Sequence, residues 1–145
     1  MLALRAVDGK TKAVQELLYV LQLEILPHDK PTCTKDGYWW ILYDGKAPVG
    51  FCGMYASTQW GGTGYLCRAG VVKDYRGKGL QKKLIRVRER RARKLGWTHL
   101  VTDTYENPPS ANNLIACGYK TYHPRNPWGG EGVTYWIKRL KKDRK

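Results

Sequence analysis

One amphipathic segment held between two strand-like runs narrows the fold more than any other feature. Leu80, Leu84, Val87 and Leu95, with Ile85 and Ala92 alongside, recur at helical spacing from about Leu80 to Leu95, and Gly96 supplies a stop. Tyr65 to Val72 before it and His99 to Tyr105 after it read as strands. A central strand, helix, strand unit among a majority of strands predicts a mixed α/β sheet.

The flanking segments extend that pattern. Leu2 to Val7 reads as a short strand, and Val14, Leu17, Leu18, Leu21 and Ile25 give Thr11 to Leu26 helical spacing before Pro27 and Pro31 break the chain. Tyr38 to Tyr43 and Pro48 to Ala56 are strands joined at Asp44-Gly45, a hairpin signal. Ser110 to Cys117 is expected as a short helix capped by Ser110 and closed by Gly118. Tyr119 to His123 and Val133 to Leu140 are expected as a last strand pair.

A length of 145 residues with 42% hydrophobic content fits one domain, residues 1–145, with a basic tail from about Lys141. No apolar run reaches membrane-span length, and MLALRAVDGK lacks the order of a secretion signal, so a cytoplasmic protein without a membrane partner is expected. Cys33, Cys52, Cys67 and Cys117 form no CxxC pair, and His28, His99 and His123 have no ligand spacing; buried, reduced thiols and no metal site are expected. The sequence is silent on oligomeric state.

The net charge of +14 is concentrated in two windows. Lys73 to Lys94 holds 11 Lys/Arg against Asp74 and Glu89, a net of +9; Lys138 to the end holds 6 against Asp143, a net of +5. The remainder is neutral, and such a field favours an anionic ligand or a polyanionic partner.

DYRGKGLQKKL, Asp74 to Leu84, opens the basic helix. Val72 and Gly79 break the Walker pattern GxxxxGK[ST], and Lys82 takes the third glycine position of GxGxxG, so neither nucleoside triphosphate nor NAD binding is supported. Gly77 and Gly79 still let the backbone curl and turn N–H groups toward one point at the positive end of the helix. A phosphate or pyrophosphate fits there, with Arg76 and Lys78 adding charge.

The order strand, RGKGL, amphipathic helix, strand, Asn, short helix, Gly-aromatic, strand pair resembles the GNAT superfamily of acyl-CoA-dependent N-acyltransferases, most specifically over residues 65–119. The family's pyrophosphate motif, Q/R-x-x-G-x-G/A, aligns with Arg76, Gly77, Lys78, Gly79, Leu80 and Gln81; Gln81 departs from the small final residue. The resemblance implies a mixed, mostly antiparallel central sheet of about 6–7 strands flanked by about 4 helices. It implies transfer of an acetyl group from acetyl-CoA, the acyl-donor cosubstrate, to an amine acceptor by direct attack.

It also implies roles. Val71 and Val72 would meet the pantetheine arm, an amide near Val71 polarising the thioester carbonyl. Arg76 to Gln81 would hold the pyrophosphate, Asn107 and Ser110 would lie along the pantetheine, and Lys82, Lys83 or Arg86 would reach the 3′-phosphate. The family often places an acidic Tyr four residues before the Gly-aromatic pair; Leu114 stands there, which leaves Tyr105 and Tyr119 as substitutes. Glu24, Asp103, Glu106 and Glu131 are the carboxylates near predicted strand ends or loops, and Glu131 completes the catalytic candidates. Arg68, on an apolar strand, and Trp128, in HPRNPWGGEG, are the acceptor-binding candidates. The variable segments Leu26 to Gly37 and His123 to Gly132 would shape the acceptor side.

Two other readings stand beside this one. The basic helix face and tail, with Trp and Tyr nearby, suit a nucleic acid or nucleic-acid-associated protein, either as sole partner or as carrier of the acceptor amine. Leu114 and a predicted strand without a carboxylate also allow a CoA-binding domain that does not turn over.

Overall fold

The structure, a computed structural model, describes residues 1–141; all of the basic tail beyond Lys141 lies outside the described residues. The strands are β1 (Leu2–Val7), β2 (Tyr38–Asp44), β3 (Ala47–Ala56), β4 (Thr63–Val71), β5 (His99–Thr104), β6 (Lys120–Tyr122) and β7 (Thr134–Arg139). The helices are α1 (Lys12–Ile25), α2 (Leu80–Lys94) and α3 (Pro108–Ala116), with a single 3-10 turn at Lys73–Tyr75. The sheet order is β1-β2-β3-β4-β5-β7-β6. β4 and β5 are parallel, while β1 with β2, β2 with β3, β5 with β7 and β6 with β7 are antiparallel.

The chain divides into two compact units, Met1–Tyr55 with Cys67–Leu84, and Ala56–Leu66 with Ile85 onward. In the first, the apolar face of α1 supplies Leu18, Leu21 and Ile25 to a core completed by Trp39, Ile41 and Phe51. Thr11 caps α1 by accepting from the Val14 N–H. The Trp39 ring lies so close to Gly53 that a Cβ there would sit 2.4 Å from it, so the strand needs a bare backbone at that point. Gly70 plays the same part under Ile25.

In the second unit the β4–β5 ladder pairs Thr63–Tyr65 with His99–Val101. The next β4 carbonyl, Leu66 O, is taken at 2.7 Å by the Thr102 hydroxyl, a side chain standing in for a ladder N–H. α2 and α3 both end in a left-handed glycine, Gly96 and Gly118. The following amides, Trp97 N–H and Tyr119 N–H, bond back to Ala92 O at 3.0 Å and Leu114 O at 2.9 Å.

Two expectations need correction. Among the described residues there are three α-helices rather than about four; Leu26 to Gly37 is a loop, in keeping with the break expected at Pro27 and Pro31. Its prolines forbid regular helix, and buried Gln22 holds it by donating to Thr32 O at 3.2 Å and accepting from Thr32 N–H at 2.8 Å. The helix expected from Ser110 begins at Pro108 and is capped by Asn107, whose side chain accepts from Ser110 N–H at 3.2 Å. Pro108 gives up nothing at the first helical position, where the N–H has no intrahelical partner.

Candidate functional site

In the first unit the site is built at the exit of β4. Val72 N–H donates to Val49 O at 2.8 Å and Val72 O accepts from Tyr75 N–H at 2.9 Å, so the backbone of Val72 is spent on fixing the strand end and the 3-10 turn. The Tyr75 hydroxyl then donates to the Asp44 carboxylate on β2. That bond, followed by the chain's amino terminus, holds Asp44 below the usual carboxylate range, and the same bond pushes Tyr75 up. The Lys78 ammonium lies 5.2 Å from the centre of the Tyr75 ring.

From this anchor the chain runs through Arg76, Gly77, Lys78 and Gly79, all exposed, into buried Leu80 and half-buried Gln81. Gly77 and Gly79 have φ of +76° and +74°, and a Cβ built on either meets nothing within 4 Å. Handedness and not space makes these positions glycine, because the left-handed region is costly for residues with a Cβ. The amides that follow are the first of α2, which have no partner inside the helix and carry its positive end. An exposed, cation-flanked loop with this curl can hold a phosphate group.

Val71 is buried one residue before this exit, and Arg68 is half-buried on the same strand. Tyr55, whose hydroxyl donates to Cys33 O at 2.8 Å, has its pKa pushed up chiefly by burial, and the charge of Arg68 opposes the rise.

In the second unit Asp103 is the focus. Tyr65 donates to Asp103 Oδ2 at 2.8 Å, and Trp128 Nε1 donates to the same oxygen. The Trp128 ring stands edge-on to Tyr65 and Tyr135, with centroids 5.9 and 4.7 Å away. Gly129 N–H donates to the Tyr135 hydroxyl at 3.0 Å, which fastens the loop His123 to Gly132 at its middle. A Cβ on Gly132 would lie 3.2 Å from the Tyr105 ring, so exposed Tyr105 neighbours the loop that carries exposed Glu131. Just beyond β5, Glu106 holds a left-handed φ of +46°, uncommon without a glycine, and delivers the chain to Asn107. Asn107 spends Oδ1 on the α3 cap, which leaves its amide nitrogen as the donor for a ligand; Ser110 is half-buried one turn on.

Tyr119 stands apart from Tyr105 and Glu131 in its bonding. It is buried, and its hydroxyl donates to Glu89 Oε2 at 2.8 Å; burial first, then the charge of Glu89, pushes its pKa well up. Glu89, fully buried on α2, also receives the Lys138 ammonium at 3.0 Å and lies 3.5 Å from Arg86 and 3.9 Å from Arg93. Sequence reasoning passed over Glu89 as one acid in a basic run, although its spacing of three from Arg86 and four to Arg93 is the helical ion-pair signal. Nothing local marks Asp103 as the meeting point of Tyr65 and Trp128.

The sequence matches the Acetyltransferase (GNAT) family over residues 10–119. No curated protein sequence matches it. Among solved structures, the ribosomal-protein-S18-alanine N-acetyltransferase from Escherichia coli superposes with a TM-score of 0.76 at 13% identity, over 99% of this chain and 97% of that one. A Bacillus subtilis acetyltransferase in complex with CoA gives 0.76 at 16% identity over 97% and 100% of the two chains. An IAA acetyltransferase from Bacillus cereus ATCC 14579 gives 0.72 at 15% identity, again over 97% and 100%. At these identities what is shared is the fold. Among the described residues no helix is long and apolar enough to cross a membrane.

Proposed function

The chain belongs to the GNAT acetyltransferase family, and from that premise we propose that it transfers an acetyl group from acetyl-CoA to an amine by direct attack of the amine on the thioester carbonyl. The observation that carries this reading is the pair of left-handed glycines, Gly77 and Gly79, opening onto empty space at the start of α2. In this reading the amides of Gly77 to Gln81 hold the pyrophosphate, with Arg76 adding charge. Lys78, exposed 5.2 Å from the centre of the Tyr75 ring, adds a second cation, while Arg86 is turned toward Glu89 at 3.5 Å. Val71 is the backbone contact for the thioester, because the Val72 amide and carbonyl are already used. Asn107 and Ser110 line the pantetheine.

An attacking ammonium must first lose a proton, and the leaving thiolate is best protonated. Tyr105 and Glu131 are the exposed groups that share one loop region, so they take the acid and base roles ahead of Tyr119, whose proton is committed to Glu89. Arg68 and Trp128 belong to the acceptor side. The structures that share this fold include a ribosomal-protein-S18-alanine N-acetyltransferase and an IAA acetyltransferase, so both proteins and small molecules belong in the acceptor screen.

Calorimetric titration with acetyl-CoA tests the donor half. Micromolar binding that disappears in Gly77→Glu, with circular dichroism unchanged, is the expected result. Equal affinity in the variant would remove the loop from the site. A screen of small amines and N-terminal peptides, read by release of free thiol, then separates an enzyme from a CoA-binding domain without turnover.

A further inference from the structure

The second unit holds a cavity of about 700 Å³ that the donor reading does not use. Arg86 and Arg93 of α2, Lys120 of β6, Lys138 and Arg139 of β7, and Lys141 just beyond line it, and among the described residues no Asp or Glu does. The volume lies within the range typical of small-ligand sites. A solvated face of one helix does not account for it, because the cations come from three elements and the segment after β7. Counted along α2 at ~1.5 Å per residue, Arg86 and Arg93 lie about 9 and 20 Å beyond Leu80, which separates them from the glycine loop.

The internal compensation is small. Buried Glu89, behind the lining, is the carboxylate that meets these cations, and it absorbs Lys138. Lys138 completes its bonding with Cys117 O at 2.7 Å. Arg93 donates Nε to Lys141 O at 3.0 Å, which fixes the guanidinium before any ligand arrives. Lys120, Arg139 and Lys141 form no ion pair among the described residues. Among the described residues, six formal charges against one carboxylate leave an excess of five at one concavity, a self-repelling arrangement that a multiply charged anion relieves. A single carboxylate or sulfate would answer only a fraction of it. His99 also lines this cavity, and its pKa is depressed first by burial and then by the charge of Arg139.

We propose that this cavity is a second anion site, separate from the glycine loop, that binds a compact oligophosphate of two or more linked phosphate groups. The shared chemistry is the phosphate chain, free or carried on a nucleoside. Cations gathered around one concavity suit a compact ligand better than the extended backbone of a nucleic acid, which follows a charged groove.

The test is calorimetry with inorganic tripolyphosphate at about 100 mM salt, where long-range attraction between exposed charges is largely screened. The wild-type protein is expected to bind with micromolar affinity. The double variant Lys120→Gln, Arg139→Gln should bind at least tenfold more weakly, and Lys120→Glu, Arg139→Glu should not bind, while acetyl-CoA titrations stay unchanged in both. If charge reversal prevents folding, the glutamine pair decides. ATP binding more tightly than tripolyphosphate assigns the site to a nucleotide; equal binding assigns it to the phosphate chain alone, and both sustain the proposal. Three results overturn it: no tripolyphosphate binding, binding that is lost in Gly77→Glu but kept in the glutamine pair, or displacement of tripolyphosphate by an RNA duplex of far higher, steeply salt-dependent affinity. Because Gly77→Glu acts only on the donor loop, failure of the acetyl-CoA reading and failure of this one are separable.

Discussion

Tyr119 donates its hydroxyl to Glu89 at 2.8 Å, and both side chains are buried. Lys138 closes the same group from β7, so one carboxylate joins α2, the residues after α3 and the last long strand of the second unit. A carboxylate this deep persists because its lone pairs are taken.

Removing one partner should therefore be expensive. Glu89→Ala is expected to lower unfolding free energy by about 3–5 kcal/mol, the range for breaking a buried charge pair. Tyr119→Phe should cost about 1–3 kcal/mol, because it leaves an acceptor on Glu89 less well satisfied. Denaturant unfolding measures both. If Tyr119→Phe instead keeps its stability and loses kcat, Tyr119 is the acid and Tyr105 is not.

Gly79→Ala isolates the effect of handedness, since the new methyl meets nothing within 4 Å. The left-handed φ alone should cost about 1–2 kcal/mol, paid either as lost stability or by relaxation of the loop. Acetyl-CoA affinity should fall at least tenfold. An unchanged affinity would mean that the curl at Gly79 is not what holds the pyrophosphate.

The Tyr75–Asp44 bond sets an acid limit. The folded pKa of Asp44 lies below its unfolded value of 3.8, so its contribution is present above that pH and is lost as pH falls through the folded value. Tyr75 is raised above 10.0, so its share is present below pH 10.0 and is lost as pH rises through the folded pKa. Tyr75→Phe should move the acid unfolding midpoint to higher pH and weaken acetyl-CoA binding by freeing the start of the loop. Acid titration followed by circular dichroism checks the first and calorimetry the second.

His99 reports on the basic cavity. Its folded pKa is depressed below 6.5, so the folded protein prefers the neutral ring, and stability falls as pH drops from 6.5 toward the folded value. The ring lies against Trp60 at 4.6 Å, accepts or donates at 2.8 Å with the Thr98 hydroxyl, and pairs in register with Arg139. Arg139→Gln should raise the His99 pKa, and bound tripolyphosphate should raise it further in the wild-type protein. Proton NMR titration of the imidazole follows both.

The parts of this protein that repeat along the chain were readable from residue order. The 3.6-residue stripe of Leu80, Leu84 and Val87 gives α2, Asp44-Gly45 gives the β2–β3 turn, and Gly77 and Gly79 give the loop between them and the helix dipole. The parts decided by tertiary partners were not readable. Ser110 looked like a cap because hydroxyl residues often are, but Asn107 ahead of two prolines takes that position. Pro27 and Pro31 mark Leu26 to Gly37 as a break in the chain, but the Gln22 side chain that holds this loop is supplied by the tertiary fold. Glu89, Asp103 and Asp44 each draw meaning from residues more than 25 positions away, Tyr119, Tyr65 and Tyr75 among them, and no local pattern encodes such meetings.

The empty space around Gly77 and Gly79 sets them apart from Gly53, where the Trp39 ring occupies the place of an ordinary Cβ. At the loop only the hand matters. A chain assembled by chemical synthesis with D-alanine at 77 and 79 would adopt the same positive φ without strain and with less freedom to lose on folding. Mirror-image residues at these two positions would thus give a stiffer loop than the glycines do, a gain not open at Gly53, where the requirement is room beside the Trp39 ring.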